Sequence, residues 1–336
     1  MKVFLTGGAG YIGTHILNEI LERDWQACIY DNFSNSSPIG LNRVRALTGR
    51  DFDVVEGDIT DAAALTAALE AFQPDAVIHL AGLKAVGEST EQPLHYYQNN
   101  VQGSVTLLQA MQAVGCGRIV FSSSATVYGM PKYVPHDEAH PLAPLNPYGR
   151  TKLFIEEIIR DWIAAEQGLS AVLLRYFNPV GAHVSGQIGE DPAGTPNNLM
   201  PYIAQVAVGR RAELNVFGDD YDTRDGTGER DYIHVVDLAR AHLDALDYTM
   251  GRSECDVFNI GTGRGATVLE MVQAFERVSG QSVPCRIASR RAGDAPISLA
   301  DPTRARDVLG WRAEHSLDDM CRSTWVWQSG NPDGYR

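Results

Sequence analysis

The chain has 336 residues, a length for about two domains of ordinary size. Its 44% hydrophobic and 21% charged residues are a globular composition with a core, and 42 acidic against 28 basic residues leave a formal charge of -14. That balance argues against broad binding to nucleic acid or an anionic membrane, and no run approaches the roughly 18 apolar residues of a membrane span.

Apolar runs rich in branched residues at 2–6, 26–31, 52–56, 76–80, 118–122 and 171–176 alternate with segments of helical period, among them 12–22, 61–72 and 101–114. The alternation predicts an α/β fold, a doubly wound, Rossmann-like parallel sheet with helices on both faces. Ligands of such a sheet sit beyond the carboxyl ends of its strands. After Tyr176 the texture changes. Pro179, Pro192, Pro196 and four glycines make 178–198 a long loop. Helices near 200–208, 235–246 and 268–278, strands near 214–217 and 257–260, and loop-rich terminal segments follow. The expected division is a Rossmann domain over 1–177 and a smaller mixed α/β substrate domain over 178–336. Segments at about 231–262 are candidates to return to the first sheet.

The strand-like run opening at Lys2 leaves no room for a signal peptide, so a cytoplasmic place is expected. Five cysteines without a C-x-x-C pair and nine scattered histidines predict neither a disulfide framework nor a metal site.

Gly7, Gly10 and Gly13 stand between the first strand and the first helix. Glycines there permit a tight turn, a close approach of backbone to a pyrophosphate and close helix packing, although a glycine turn alone can be structural. Asp31 ends the second strand, where a carboxylate accepts hydrogen bonds from ribose hydroxyls. No basic residue follows until Arg43, which favours NAD over NADP.

Tyr148 and Lys152 share one face of a helix. A tyrosine becomes a usable base near neutral pH when a cation stabilises its phenolate, and Lys152 is placed to be that cation. The bland alternative is a packed ring beside a snorkelling lysine. Only four of the 28 basic residues are lysine, yet positions 84 and 152 near two strand ends are among them. Ser122, Ser123 and Ser124 follow the fifth strand. One could relay a proton to Tyr148, while at least two are expected merely to satisfy loop backbone. Arg230 and Arg291 lie in loop-like stretches as candidates for a pyrophosphate. The pairs Glu156–Glu157 and Asp219–Asp220 are expected to point to water. The helix from Pro147 carries Leu153, Phe154, Ile155, Ile158, Ile159, Trp162 and Ile163, a wide apolar surface. Deep burial in one subunit and a subunit interface both account for it.

With these residues placed, the sequence resembles the extended short-chain dehydrogenase/reductase family, in its branch of UDP-sugar 4-epimerases. The runs 6–13, 81–89, 121–129, 174–183, 197–211 and 225–235 carry the resemblance. It implies an NAD-dependent isomerase that inverts carbon 4 of UDP-glucose and UDP-galactose, working as a homodimer through two helices of the first domain. It further implies that Tyr11, Ile12, Asp31, Asn32, Asp58, Ile59, Leu80, Ala81, Lys84, Asn99, Ser122 and Phe177 contact NAD, with Lys152 on the nicotinamide ribose. Asn178, Asn198, Leu199, Arg230, Arg291 and Asp294 would hold the UDP part and the backbone around Asn215 and Phe217 the uracil. Ser124, Tyr148 and Lys84 would face the sugar. Ser298 stands where members restricted to plain hexoses carry tyrosine, which implies room for an N-acetyl group and turnover of UDP-GlcNAc and UDP-GalNAc. A sugar-nucleotide 4,6-dehydratase would need an Asp–Glu pair after the position of Ser124, where Ala125 and Thr126 stand. A non-catalytic dinucleotide sensor would keep the glycine turn without the Tyr–Lys pair.

Overall fold

The computed structural model describes residues 1–192, 194, 196, 198–291 and 294–336. Asn197, which opens one of the segments singled out above, lies outside the described residues. Strands β1 (Lys2–Thr6), β2 (Gln26–Asp31), β3 (Asp53–Glu56), β4 (Ala76–His79), β5 (Arg118–Ser122) and β6 (Ser170–Tyr176) lie parallel in the order β6-β5-β4-β1-β2-β3. Helices α1 (Tyr11–Glu22), α2 (Pro38–Thr48), α3 (Ala62–Phe72), α4 (Val86–Glu91), α5 (Pro93–Tyr96), α6 (Gly103–Val114) and α7 (Pro147–Ala165) connect them. The side-chain period of two explains why the strands read as unbroken apolar runs. Val3 and Leu5 of β1 enter one core with Ile16, Leu17 and Ile20 of α1. Phe4 enters the opposite core with Leu65 of α3, Leu107 of α6 and Ile155 and Ile159 of α7.

The rest of the chain comprises β7 (Asn178–Val180), α8 (Leu199–Ala207), β8 (Leu214–Phe217), β9 (Glu229–His234), α9 (Val235–Thr249), β10 (Cys255–Ile260), β11 (Gly265–Thr267), α10 (Val268–Ser279), β12 (Cys285–Ala288), β13 (Ile297–Ser298) and α11 (Leu317–Gly330). Here β10 becomes the seventh strand, parallel to β6, and α9 packs on α1, β5 and β6. A second sheet forms around β9, which pairs with β7, β11 and β13, and β8 pairs with β12. Met200, Ile203, Val216, Met271, Phe275 and Met320 fill the core beneath them.

Three expectations are corrected. The stretch 178–198 opens with a strand, because Asn178, Pro179 and Val180 pair with Tyr232, Ile233 and His234. Arg230 is in β9 rather than a loop. The terminal segment contains a 14-residue helix whose start was legible, since Ser316 and Asp319 cap each other's backbone N–H. Among the described residues no helix is long and apolar enough to cross a membrane, and no acidic, histidine or cysteine cluster could hold a metal ion.

Candidate active site

The turn after β1 is tight for a packing reason. Gly7 has φ +70, and a Cβ there would stand 2.7 Å from the backbone nitrogen of Ala81. At Gly13 it would stand 2.6 Å from Gly8 Cα, so this glycine brings α1 against the turn. Gly10 differs. Its backbone is extended, and an added Cβ would meet only the Gly7 carbonyl at 3.5 Å. Gly10 caps α1 without a side chain, so the first N–H groups of the helix, at Tyr11 and Ile12, have no capping partner. This open cradle with a positive helix end fits a dinucleotide pyrophosphate.

The surrounding residues extend the fit. The Asp31 carboxylate accepts from the Ala9 N–H at 2.9 Å, the Phe33 N–H at 2.9 Å and the Ser36 hydroxyl at 2.9 Å. Arg43, the first basic residue after it along the chain, is engaged elsewhere, donating to Gln187 O and Asn331 Oδ1. Asn32 donates to Asp58 at 2.8 Å. Burial would push Asp58 up, but the bonds from Thr60 and Asn32 outweigh it and hold the carboxyl below its ordinary value. Ile59 fills the space beside Gly103, Leu80 and Ala81 are fastened to Thr6, and Phe177 is buried among Val127, Tyr128 and Ala300. Asn99 donates to Asn100 Oδ1 at 2.9 Å within a π-wound turn at Tyr97–Gln102, and Asn100 in turn holds Leu83 and Thr151.

At the carboxyl end of β5 the serines divide their work. The Ser122 hydroxyl bonds the buried His242 Nε2 at 2.6 Å, and its carbonyl accepts from Lys152 Nζ at 2.7 Å. Ser123 donates to Glu156 at 2.5 Å. Ser122 and Ser123 therefore bind side chains of other elements, where loop-backbone roles were expected. Ser124 Oγ accepts from the Thr126 N–H at 3.2 Å and the Thr126 hydroxyl at 3.0 Å, and lies close enough to the Tyr148 phenol to favour its ionised form. Asn146 caps α7 by accepting from the Gly149 N–H at 2.8 Å, which starts the helix so that Tyr148 and Lys152 lie on one buried face. Burial raises the Tyr148 phenol and the Ser124 hydroxyl opposes that rise. Burial lowers the Lys152 ammonium to about 8, opposed by the charge of Glu156. The phenol is thus a neutral acid at rest, and the ammonium stands 4.8 Å over the Phe121 ring.

The remaining candidates gather in groups. Lys84 Nζ stands 3.8 Å from Glu190, which accepts from Asn198 at 3.0 Å at the start of α8, just before Leu199. Arg230 and Ser298 are direct partners in the β9–β13 register. Tyr232 lies in the fields of both Arg230 and Arg291 and is opposite the exposed Asn178. Arg291 stacks 4.7 Å over Phe217 and pairs with Asp294 at 3.1 Å. Asn215 accepts from Arg286 at 2.9 Å. A surface cavity of about 250 Å³ lined by Gln112, Cys116, Arg118 and Glu166 lies at the amino ends of β5 and β6, on the wrong side of the sheet for this chemistry.

Sequence reasoning missed Glu156 and Arg175. Glu156 is fully buried and ion-paired with Arg175 at 2.5 Å, while Glu157 is exposed, so the expectation that both point to water fails for Glu156. Two signals were available: Glu156 lies one turn beyond Lys152, and Arg175 interrupts an apolar strand.

A strand–glycine turn–helix cradle facing a buried Tyr-x-x-x-Lys pair and a serine defines a dinucleotide-dependent dehydrogenase/reductase scaffold. The sequence model of the GDP-mannose 4,6 dehydratase family matches residues 4–324. UDP-glucose 4-epimerase of Bacillus subtilis is 54% identical over 336 residues, covering 100% of this chain and 99% of that protein. The Homo sapiens enzyme of that name is also 54% identical, over 99% of this chain and 98% of its own. The crystal structure of the Bifidobacterium longum UDP-glucose 4-epimerase in complex with NAD+ and UDP superposes with a TM-score of 0.96 at 48% identity, over 99% of this chain and 100% of that one. The chain belongs to the extended short-chain dehydrogenase/reductase family, among its UDP-glucose 4-epimerases.

Proposed function

We propose that this enzyme interconverts UDP-glucose and UDP-galactose by reversible oxidation at carbon 4, with Tyr148 as the acid–base group. When bound, NAD supplies the hydride acceptor and, in its oxidised form, a positively charged ring. The Gly7–Gly13 turn, Asp31, Asn32, Asp58 and Lys152 are assigned to holding it. Tyr148, as phenolate, takes the proton of the sugar 4-hydroxyl, directly or through Ser124, as carbon 4 gives up hydride. After the 4-keto sugar turns about its pyrophosphate tether, Tyr148 returns the proton to the oxygen as hydride arrives on the other face. Lys152 stabilises the phenolate. Arg230, Arg291, Asn178 and Asn198 are assigned to the UDP part, and residues 1–177 with α9 and β10 to the cofactor half of the enzyme.

One observation carries this reading: the phenol of Tyr148, the hydroxyl of Ser124 and the ammonium of Lys152 are buried together at the carboxyl end of β5. Tyr148→Phe leaves packing intact and should lower turnover at least about a hundredfold, the ordinary loss with a general base. Conversion of UDP-galactose to UDP-glucose measures it, and near-full activity removes Tyr148 from the role.

Two finer readings follow. Ser298, in register with Arg230, is small, and we assign to it the accommodation of a 2-acetamido group, with UDP-GlcNAc and UDP-GalNAc proposed as further substrates. The outer edge of α7 exposes Phe154, stacked at 5.9 Å on Tyr97, beside partly buried Ile158 and Trp162, and the Trp162 indole N–H has no partner. A homodimer joined through this helix and α6 would cover that edge. All five cysteines are free, which fits a reducing compartment, the cytoplasm.

A further inference from the structure

The ion pair behind the active site is placed to act on it. Glu156 is 0% exposed and Arg175 2%. Both oxygens of the carboxylate accept hydrogen bonds. Oε1 accepts from Ser123 Oγ at 2.5 Å and Arg175 Nε at 2.9 Å, and Oε2 accepts from Arg175 Nη2 at 2.5 Å. Arg175 continues the network, donating from Nη1 to the Tyr128 hydroxyl at 3.3 Å and to the Glu138 carbonyl at 3.4 Å. Tyr128 donates to Asn259 at 2.6 Å, and Asn259 donates to the His136 carbonyl at 2.9 Å. His136 is joined to the strand bearing Ser298 through its N–H on Leu299 O at 2.8 Å.

A buried pair of this kind contributes little net stability compared with apolar residues of the same volume, because both ions lose their hydration. Its position gives it a second use. Glu156 lies one helical turn beyond Lys152, and Ser123 lies between the serine whose carbonyl holds Lys152 and the serine beside the Tyr148 phenol. One carboxylate thereby anchors the middle serine of the run and stands one helical turn from the ammonium.

We propose that Glu156, oriented by Arg175, is a positioning residue for the epimerisation, holding the Ser122–Ser124 run in place and keeping Lys152 charged at working pH. This rests on the assignment of Tyr148 and Lys152 made above. The other titratable groups buried around this end of β5 cannot do the same. His79 from β4 is buried and its pKa is lowered to about 3, so it adds no negative charge. His242 of α9 is likewise lowered to about 4, and Tyr176 of β6 is a neutral phenol pushed up by burial. Tyr148 is neutral at rest, and the Phe121 ring and the Ser122 carbonyl offer only weak or partial negative charge. The negative charge of Glu156 is what opposes the effect of burial on Lys152.

The test is the pH profile of kcat for UDP-galactose in two variants. Glu156→Gln keeps size and one acceptor but removes the charge. Glu156→Gln with Arg175→Gln removes both charges, so it folds without a lone buried ion and decides the matter if the single variant is unstable. The expected result is an alkaline limb shifted to lower pH by about one unit or more, the ordinary effect of losing an opposite charge at close range, with KM changed less than about threefold. Tyr148→Phe, run alongside, separates this from the underlying reading: if it stays active, the assignment of the base has failed rather than the role of Glu156. An alkaline limb at the parent position in a folded, NAD-loaded double variant overturns the proposal, as does a loss confined to thermal stability.

Discussion

Gly7 and Gly10 stand three residues apart in one turn, yet alanine at the two positions should fail in different ways. At Gly7 the backbone is left-handed, which costs an L-residue roughly 1–2 kcal/mol. The new methyl would also stand 2.7 Å from the Ala81 nitrogen, on a segment tied to Thr6 on both sides, and overpacking against backbone adds about 1–3 kcal/mol. Gly7→Ala should therefore destabilise the fold itself by roughly 2–5 kcal/mol. Gly10→Ala meets no such obstacle, since its φ of -75° suits any residue and its only neighbour is the Gly7 carbonyl at 3.5 Å. Stability without cofactor should stay within about 0.5 kcal/mol. The methyl would instead occupy the open side of the cradle, holding a pyrophosphate away from the N–H groups of Tyr11 and Ile12. NAD should bind at least about tenfold more weakly, a loss of ~1.4 kcal/mol. NAD content per chain after exhaustive dialysis measures the affinity, and thermal unfolding with and without added NAD separates fold from site. A Gly10→Ala enzyme that retains NAD like the parent, or a Gly7→Ala enzyme with the parent Tm, would refute the assignment.

Ser298→Tyr should abolish turnover of UDP-GlcNAc while leaving UDP-galactose within a few-fold, read by product chromatography on both sugars; equal loss on both would remove Ser298 from substrate choice. Acid stability follows from four buried, neutral histidines, His15, His79 and His234 with pKa lowered to about 3 and His242 to about 4, burial being the main cause in each. A lowered folded pKa means that only the unfolded chain takes up protons below 6.5, so this stability is complete above 6.5 and is lost as pH falls toward the folded values. Each histidine contributes a slope of roughly 1.4 kcal/mol per pH unit within that window. His315, raised by Asp237 and stacked on His234, has the opposite sign: its contribution is complete below 6.5 and is lost as pH rises through its own folded pKa. His136 and His183 are also lowered by burial, and with six groups against one, Tm should fall steeply between about pH 6.5 and 5. A Tm flat over that interval would show these rings to be protonated in the folded state.

The elements that could be read in advance are those whose information is local. Strands β1 to β6 announce themselves by branched apolar runs, the cradle by three glycines between a strand and a helix, and the Tyr148–Lys152 face by a spacing of four. Each signal involves residues within a turn or two of one another. Even α11 carried such a signal, in Ser316 and Asp319, although its Trp- and Ser-rich body does not favour helix strongly.

What the tertiary structure alone decided is which distant segments meet. The segment 231–262 was a candidate to return to the first sheet, but nothing within 255–260 says that it will lie beside β6 rather than at the opposite edge, because every apolar parallel strand offers the same hydrogen-bonding edge. Nothing in β9 foretells that Arg230 will face Ser298, or that Glu156 will find Arg175 and Ser123 on two other elements. A lone Glu and a lone Arg each look like surface charges until packing removes water from both at once. Local periodicity is written by neighbours along the chain, whereas pairings of this kind are chosen by the packing and desolvation of the whole molecule.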